Sequence, residues 1–428
     1  MNGSALNCYR VGNKEETFDT TPTEDDAEKL RERIEPWLTS VFQSEHLSLL
    51  LGSGFTTAIT YKCGASAADM SNIKFDCELE DKVNLYAKKT AERCGRGDPN
   101  IEDQIRSALA LISGLEVMQD TRLTSWVKSI DNVLHEFLLS LLKTERDIRE
   151  SIVEKQNYAV KELLISFLLS FASRTATRER LNIFTSNYDR LIEYGCDEVG
   201  LRIIDRFVGT INPIFRSSRL EVDMHYNPPG IRGEPRYLEG VVKLTKLHGS
   251  LDWRITADSE LRRYGIPFGA KEDYPDILQN PLNSVMIYPN PAKDIETLEY
   301  PYAELFRDYS AALCRPNSVL VTYGYGFGDD HINRVIKDML TIPSTHVVII
   351  SFDDNNGRIK RFCDEIGRKA QISLLIGNHF GDITNLVRFY LPKPAIDRIT
   401  ERVTDILTRR GIVSPKPQDK EKGVCTDE

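Results

Sequence analysis

The chain has 428 residues, of which 41% are hydrophobic and 28% charged, enough apolar mass for a large core and too much for a disordered or fibrous protein. Its 55 Lys and Arg against 64 Asp and Glu leave a formal net charge of −9, so no direct nucleic-acid binding is expected without a local basic patch or a partner. No run approaches the roughly 18 uninterrupted apolar residues of a membrane helix, and the first residues, MNGSALNCYRV, lack an apolar secretion-signal segment, so a cytoplasmic location is expected.

In chain order, residues 1–24 are polar and without periodicity, and are expected to be a flexible tail. A helix is predicted near Asp26 to Phe42 with a kink at Pro36, followed by a buried strand, Leu47 to Leu51, that stops at Gly52. From 80 to 178 the spacing turns helical. Leu123, Val127, Ile130, Leu134, Leu138 and Leu141 recur at threes and fours, as do Val160, Leu163, Leu164, Phe167, Leu168 and Phe171. This segment reads as an all-helical insertion whose apolar stripes are core.

Beyond it, short apolar runs alternate with helical segments. The predicted strands are Asn182 to Thr185, Val241 to Leu247, Ser284 to Tyr288, Ser318 to Tyr323, His346 to Phe352 and Gln371 to Ile376. Helices are predicted at Asp189 to Tyr194, Ala303 to Cys314, Asp330 to Leu340 and Arg358 to Lys369. Such alternation predicts an α/β fold, a Rossmann-like parallel sheet built from 25–79 and 179–392 with 80–178 inserted. A closing helix is expected within 393–413 and a flexible tail over 414–428. Ligands of such sheets sit at the carboxyl ends of the strands, where strand order reverses.

Four strand ends carry residues suited to chemistry. Gly52-Ser53-Gly54 is either a plain tight turn or a place where backbone amides meet a diphosphate at a helix N-terminus. After Thr185, Ser186 or Asn187 can cap the next helix, or the Asn187 carboxamide can hold ribose hydroxyls or a water. His248, followed by Gly249-Ser250, is a satisfied loop residue or a general base. Gly324-Tyr325-Gly326-Phe327-Gly328-Asp329 lets backbone wrap round an anion or nucleotide, with Asp329 or Asp330 capping the following helix and His331 reading as structural. Asp353, Asp354 and the Gly377-Asn378-His379-Phe380-Gly381 loop are weaker candidates that read equally as turns.

Taken in order, GSGFTT, TSNYD, KLHGS and GYGFGDDHIN resemble the sirtuin-like superfamily, in particular NAD-degrading enzymes of bacterial antiphage defence. The resemblance spans roughly Leu47 to Leu391. It implies NAD as substrate, Asn187 and His248 as catalytic residues, and Gly52, Ser53, Gly54, Asp189, Gly324, Gly326, Phe327 and Asp329 as cofactor-binding residues, with no metal expected. It further implies a homo-oligomer gated by assembly, most like members paired with a HerA-like hexameric ATPase. Departures count against protein deacylation: Ser186 replaces the family's glutamine, and the eight cysteines include no Cys-x-x-Cys pair from which a zinc module is built. The favoured expectation is hydrolysis of NAD to nicotinamide and ADP-ribose. The alternatives are a catalytically silent NAD- or ADP-ribose-binding regulatory subunit, and an ADP-ribosyltransferase or deacylase. A nuclease would need clustered carboxylates that the sequence lacks.

Overall fold

The computed structural model describes residues 7–12, 14–68, 73–93, 99–174, 178–218, 223–226, 236–256, 258–274, 284–286 and 300–393. The chain opens with β1 (Asn7–Val11), β2 (Lys14–Phe18), α1 (Glu24–Phe42), β3 (His46–Leu51) and α2 (Ser53–Lys62). The helices α3 (Glu80–Arg93), α4 (Ile101–Val117), α5 (Leu123–Arg149) and α6 (Tyr158–Ala172) follow. Next come β4 (Asn182–Thr185), α7 (Leu191–Val199) and short strands β5 (Arg202–Ile204), β6 (Phe207–Val208), β7 (Ile214–Phe215), β8 (His225–Tyr226) and β9 (Arg236–Tyr237). Then β10 (Val241–Lys246), β11 (Gly249–Ile255), β12 (Leu261–Arg263) and β13 (Ser284–Met286) lead to α8 (Tyr302–Leu313), β14 (Ser318–Tyr323), α9 (Asp330–Met339), β15 (His346–Ser351), α10 (Arg358–Ile366) and β16 (Ile372–Ile376).

Nine strands form the main sheet in the order β2-β1-β16-β15-β14-β3-β4-β10-β5. All pairings from β16 across to β5 are parallel, and β1 and β2 add an antiparallel edge. The strands are apolar on both faces because helices cover both. Val319 and Val321 of β14, with Val348 and Ile350 of β15, pack in the layer with α1, α2, α6 and α7. Their neighbours Leu320, Val347 and Ile349 point the other way, onto α8, α9 and α10. The result is a mixed α/β, Rossmann-like architecture. Among the described residues no helix is long and apolar enough to cross a membrane.

Two expectations are corrected. Asn7–Val11 and Lys14–Phe18, expected in a flexible tail, form β1 and β2; Cys8 pairs with Ile376 and Tyr9 with Leu375. The Asn7 side chain locks the edge, donating to Asn378 Oδ1 (2.7 Å) and accepting from the His379 amide (2.9 Å). The Gly377–Gly381 loop is thereby committed to holding β1. The strand predicted at Ser284 to Tyr288 is β13, which runs antiparallel to β11 in a separate five-stranded sheet, outside the parallel one. The closing helix expected within 393–413 lies, apart from Lys393, outside the described residues, as does the tail over 414–428.

The helical insertion is docked by a buried ion pair. Glu145 of α5 receives Arg190 Nε at 3.1 Å and Nη2 at 2.6 Å, together with the Arg190 amide at 2.9 Å and the Gly269 amide at 3.1 Å. Both side chains are nearly inaccessible, with Glu145 1% and Arg190 7% exposed, so neither charge tolerates loss of the other.

From β3 the chain builds one half of the sheet (β4, β10, β5) and then crosses to build the other (β14, β15, β16), so strand order reverses between β3 and β14. Backbone meets backbone there. The Gly54 amide donates to Gly324 O (3.0 Å) and the Gly52 amide to Tyr323 O (3.1 Å). A Cβ on Gly54 would lie 2.7 Å from Gly324 Cα, one on Gly52 2.4 Å from Gly324 O, and one on Gly324 2.7 Å from Gly54. Gly324 also has φ +62, and Gly357, with φ +78 but nothing within 4 Å of a Cβ, provides a control. Gly357→Ala should cost about 1 kcal/mol of left-handed strain, and Gly324→Ala about 1–3 kcal/mol more from overlap, read by urea unfolding. Equal costs would contradict the close approach.

A pH effect follows from His346. Trp37 Nε1 donates to Ser373 Oγ (3.0 Å), which lies 2.9 Å from His346 Nε2. With the serine hydroxyl accepting from Trp37 and donating its own proton, His346 Nε2 must keep its lone pair. Burial lowers the His346 pKa from 6.5 to about 4. The unfolded chain therefore takes up a proton below pH 6.5 that the folded one refuses, and stability is lost as the pH falls from about 6.5 towards 4. Denaturation across this window should show a shallower loss in His346→Gln than in wild type; identical slopes would contradict the assignment.

Candidate functional site

The parallel register aligns the strand ends: Leu51 lies opposite both Thr185 and Tyr323, and Thr185 opposite Lys246. Gly52, Ser186, Leu247 and Gly324 therefore emerge at one level, in the crevice beside the strand-order reversal.

Asn187 and Asp189 are 7% exposed and tie β4 to the turn after β3. Asn187 Nδ2 donates to Gly52 O at 3.0 Å and to Thr56 Oγ1 at 3.1 Å, and the Thr56 hydroxyl donates onward to Asp189 Oδ2 at 2.8 Å. Both contacts use the carboxamide nitrogen. Among the described residues Oδ1 has no partner, which leaves an acceptor for a ligand hydroxyl or a water. Neither Ser186 nor Asn187 caps α7; Arg190 holds the N-cap position, and Asp189 Oδ1 accepts from the Leu191 amide at 3.1 Å.

Gly52, Ser53 and Gly54 start α2, whose N-cap Gly52 offers no side-chain bond. Because the Gly54 amide is taken by Gly324 O, the glycines here serve loop-on-loop contact first. An anion at this helix start would meet the exposed Ser53 and the remaining first-turn amides.

The β14 loop divides by depth. Gly324, Gly326 and Asp329 are half-buried at the crevice. Phe327, called as cofactor-binding, sends its ring instead into the core, 5% exposed, with ring centroids 4.9 Å from Tyr325 and 4.6 Å from Phe362. The Tyr325 hydroxyl donates to Asn333 Oδ1 (3.0 Å), and Asn333 Nδ2 to Phe327 O (3.0 Å), so the loop is folded from inside. Burial holds the Tyr325 hydroxyl well above its ordinary pKa, which keeps it a donor.

His248 is 3% and His331 6% exposed, with Nε2 to Nε2 at 2.9 Å. One ring must donate and the other accept. Asp329 holds the N-cap position of α9 but makes no capping hydrogen bond through its side chain. Its carboxylate belongs instead with the histidines: the ligand atoms of His248, Asp329 and His331 all lie within 4.8 Å of one another. His331, read as structural, thus joins the site.

Three further residues were missed. Thr56 is the hub between Asn187 and Asp189. Lys246, 3% exposed, donates to Glu193 Oε1 (3.1 Å) and to the Asp189 carbonyl, fixing the loop that carries Asn187. Burial pushes the Glu193 carboxyl up, against the opposing pull of Lys246. Tyr188 reaches Glu102 Oε1 of α4 at 3.3 Å and stands 6.4 Å from the His248 ring, so the insertion touches the site directly. A lysine within the apolar β10 was the visible signal for one of them. Asp353 and Asp354 accept the Asn355 and Lys360 amides at 2.8 and 3.0 Å and serve as turn residues.

Six cysteines among the described residues are free thiols, and none belongs to the His/Asp cluster. No curated protein matches the sequence. Residues 181–370 match the family model of the SIR2-like domain. The match covers less than half of the chain, but it includes Asn187, Asp189, His248 and Gly324 to Asp329, while Gly52 to Gly54 join them only through the sheet. SIR2-like domains use NAD as a substrate, and over 181–370 this chain is similar to them.

Proposed function

We propose that the protein is an NAD glycohydrolase, releasing nicotinamide and ADP-ribose at the strand ends of β3, β4, β10 and β14. The observation that carries this reading is the joining, at the strand-order reversal, of a buried carboxamide with a spare acceptor and a buried imidazole pair, both inside the SIR2-like match.

Cleaving the nicotinamide glycosidic bond develops oxocarbenium character at the ribose carbon, and the base departs neutral from a cationic ring without a general acid. The protein must hold the ribose and deliver water. Asn187 Oδ1 positions a ribose hydroxyl or the water, with its nitrogen anchored on Gly52 O and Thr56. His248 takes up the proton, paired with His331. Ser53 and the α2 start face the diphosphate, with the half-buried Gly324 and Gly326 on its adenosine side, while the Asp329 carboxylate stands with the two histidines.

An unregulated NADase would be toxic. The same reading therefore includes gating by self-assembly or by a HerA-like ATPase in antiphage defence. The helical insertion is the nominated surface; its Val117, Met118 and Tyr158 are 85%, 65% and 60% exposed.

Purified protein incubated with NAD, alone and with candidate partners, should release nicotinamide and ADP-ribose in equal amounts. Asn187→Ala and His248→Ala should each lower kcat about 10²–10⁴-fold, with unfolding midpoints reported alongside because Asn187 also anchors the β3 turn. Full rate in either variant would remove that residue from the mechanism. Inactivity in every assembly would favour a regulatory NAD-binding subunit.

A further inference from the structure

We propose that His248, Asp329 and His331 bind one divalent transition-metal ion of the zinc class. Two imidazoles and a carboxylate are a donor set that suits Zn(II) or Co(II) and is poor for the oxygen-seeking Mg(II) and Ca(II).

The spacing is close. With metal–nitrogen bonds of about 2.0–2.1 Å, two imidazole nitrogens on one ion lie about 2.9 Å apart at an octahedral angle and about 3.3–3.4 Å apart at the tetrahedral angle zinc prefers; the Nε2 atoms of His248 and His331 stand 2.9 Å apart, so a tetrahedral ion would spread them by about 0.4 Å. The third donor is in reach, since all three ligand atoms fall within 4.8 Å of one another. Ring orientation is fixed by packing: His331 lies 5.0 Å from Phe306 and His248 6.4 Å from Tyr188, centroid to centroid. Asp329 forgoes the capping bond its position invites, although an aspartate at an N-cap ordinarily makes one. His248 comes from the end of β10, and Asp329 and His331 from the start of α9, so a bound ion staples two halves of the crevice that the chain visits 83 residues apart.

Ion binding is independent of the NAD reading; its consequence rests on that reading. A metal on His248 Nε2 occupies a lone pair of the ring that takes up the proton, so the ion is an inhibitor of hydrolysis, and its removal an activating step.

The test needs no turnover. The full chain, stripped with EDTA and dialysed, is titrated with ZnCl₂ by calorimetry and with CoCl₂ by visible absorption, which reports nitrogen and oxygen ligation. One equivalent should bind, and His331→Gln and Asp329→Asn should each weaken binding at least tenfold, with thermal melts showing both variants folded. If His331→Gln does not fold, Asp329→Asn alone decides. Absence of stoichiometric binding in wild type, or unchanged affinity in a folded variant, overturns the proposal. Failure of NAD hydrolysis leaves this result untouched and counts only against the catalytic reading.

Discussion

The close approach of two backbones at the strand-order reversal governs the rest of the molecule. Gly52 and Gly54 on one side and Gly324 on the other leave no room for a Cβ, and the loops are joined by amide-to-carbonyl bonds. That contact fixes where α2 starts and where the β14 loop turns. Asn187 then reads the geometry from the third strand, because its Nδ2 donates to the Gly52 carbonyl itself. A shift at any one of these strand ends is felt at the other two. A site built this way is preorganised by main chain, which loses little entropy when a ligand arrives.

Around this centre the chain spends charge to hold position. Glu145 on the inserted α5 grips Arg190 immediately after Asp189, and Lys246 grips the Asp189 carbonyl from below. The insertion, an addition to the sheet, is thus mechanically continuous with the loop carrying Asn187 and Tyr188. This continuity gives a physical route by which assembly through the insertion, as the proposed gating requires, would alter the crevice.

Much of the sheet was legible because strands buried on both faces read as apolar runs, as in Leu47 to Leu51, interrupted only by Ser48, or Val347 to Ile350. The edge was not. Lys14 to Thr17 is polar and exposed, and β1 is held by Asn7 bonds to residues more than 370 positions away, which no local pattern encodes. The two- and three-residue strands of the smaller sheet exist only through their pairing. In the site, glycines and the lone His248 marked the strand ends correctly. The direction of the Phe327 ring was not legible: the glycines mark a loop, and φ +52 at Phe327 accompanies a ring packed inward. The His248–His331 contact joins two motifs that are separate in sequence, and only the folded sheet brings them together.

The most direct test is a crystal or cryo-EM structure of the protein with ADP-ribose. The account predicts the diphosphate at the start of α2 beside Ser53, with the distal ribose between Asn187 Oδ1 and the His248 ring. Density for the ligand elsewhere on the molecule, with Asn187 and His248 untouched, would contradict it.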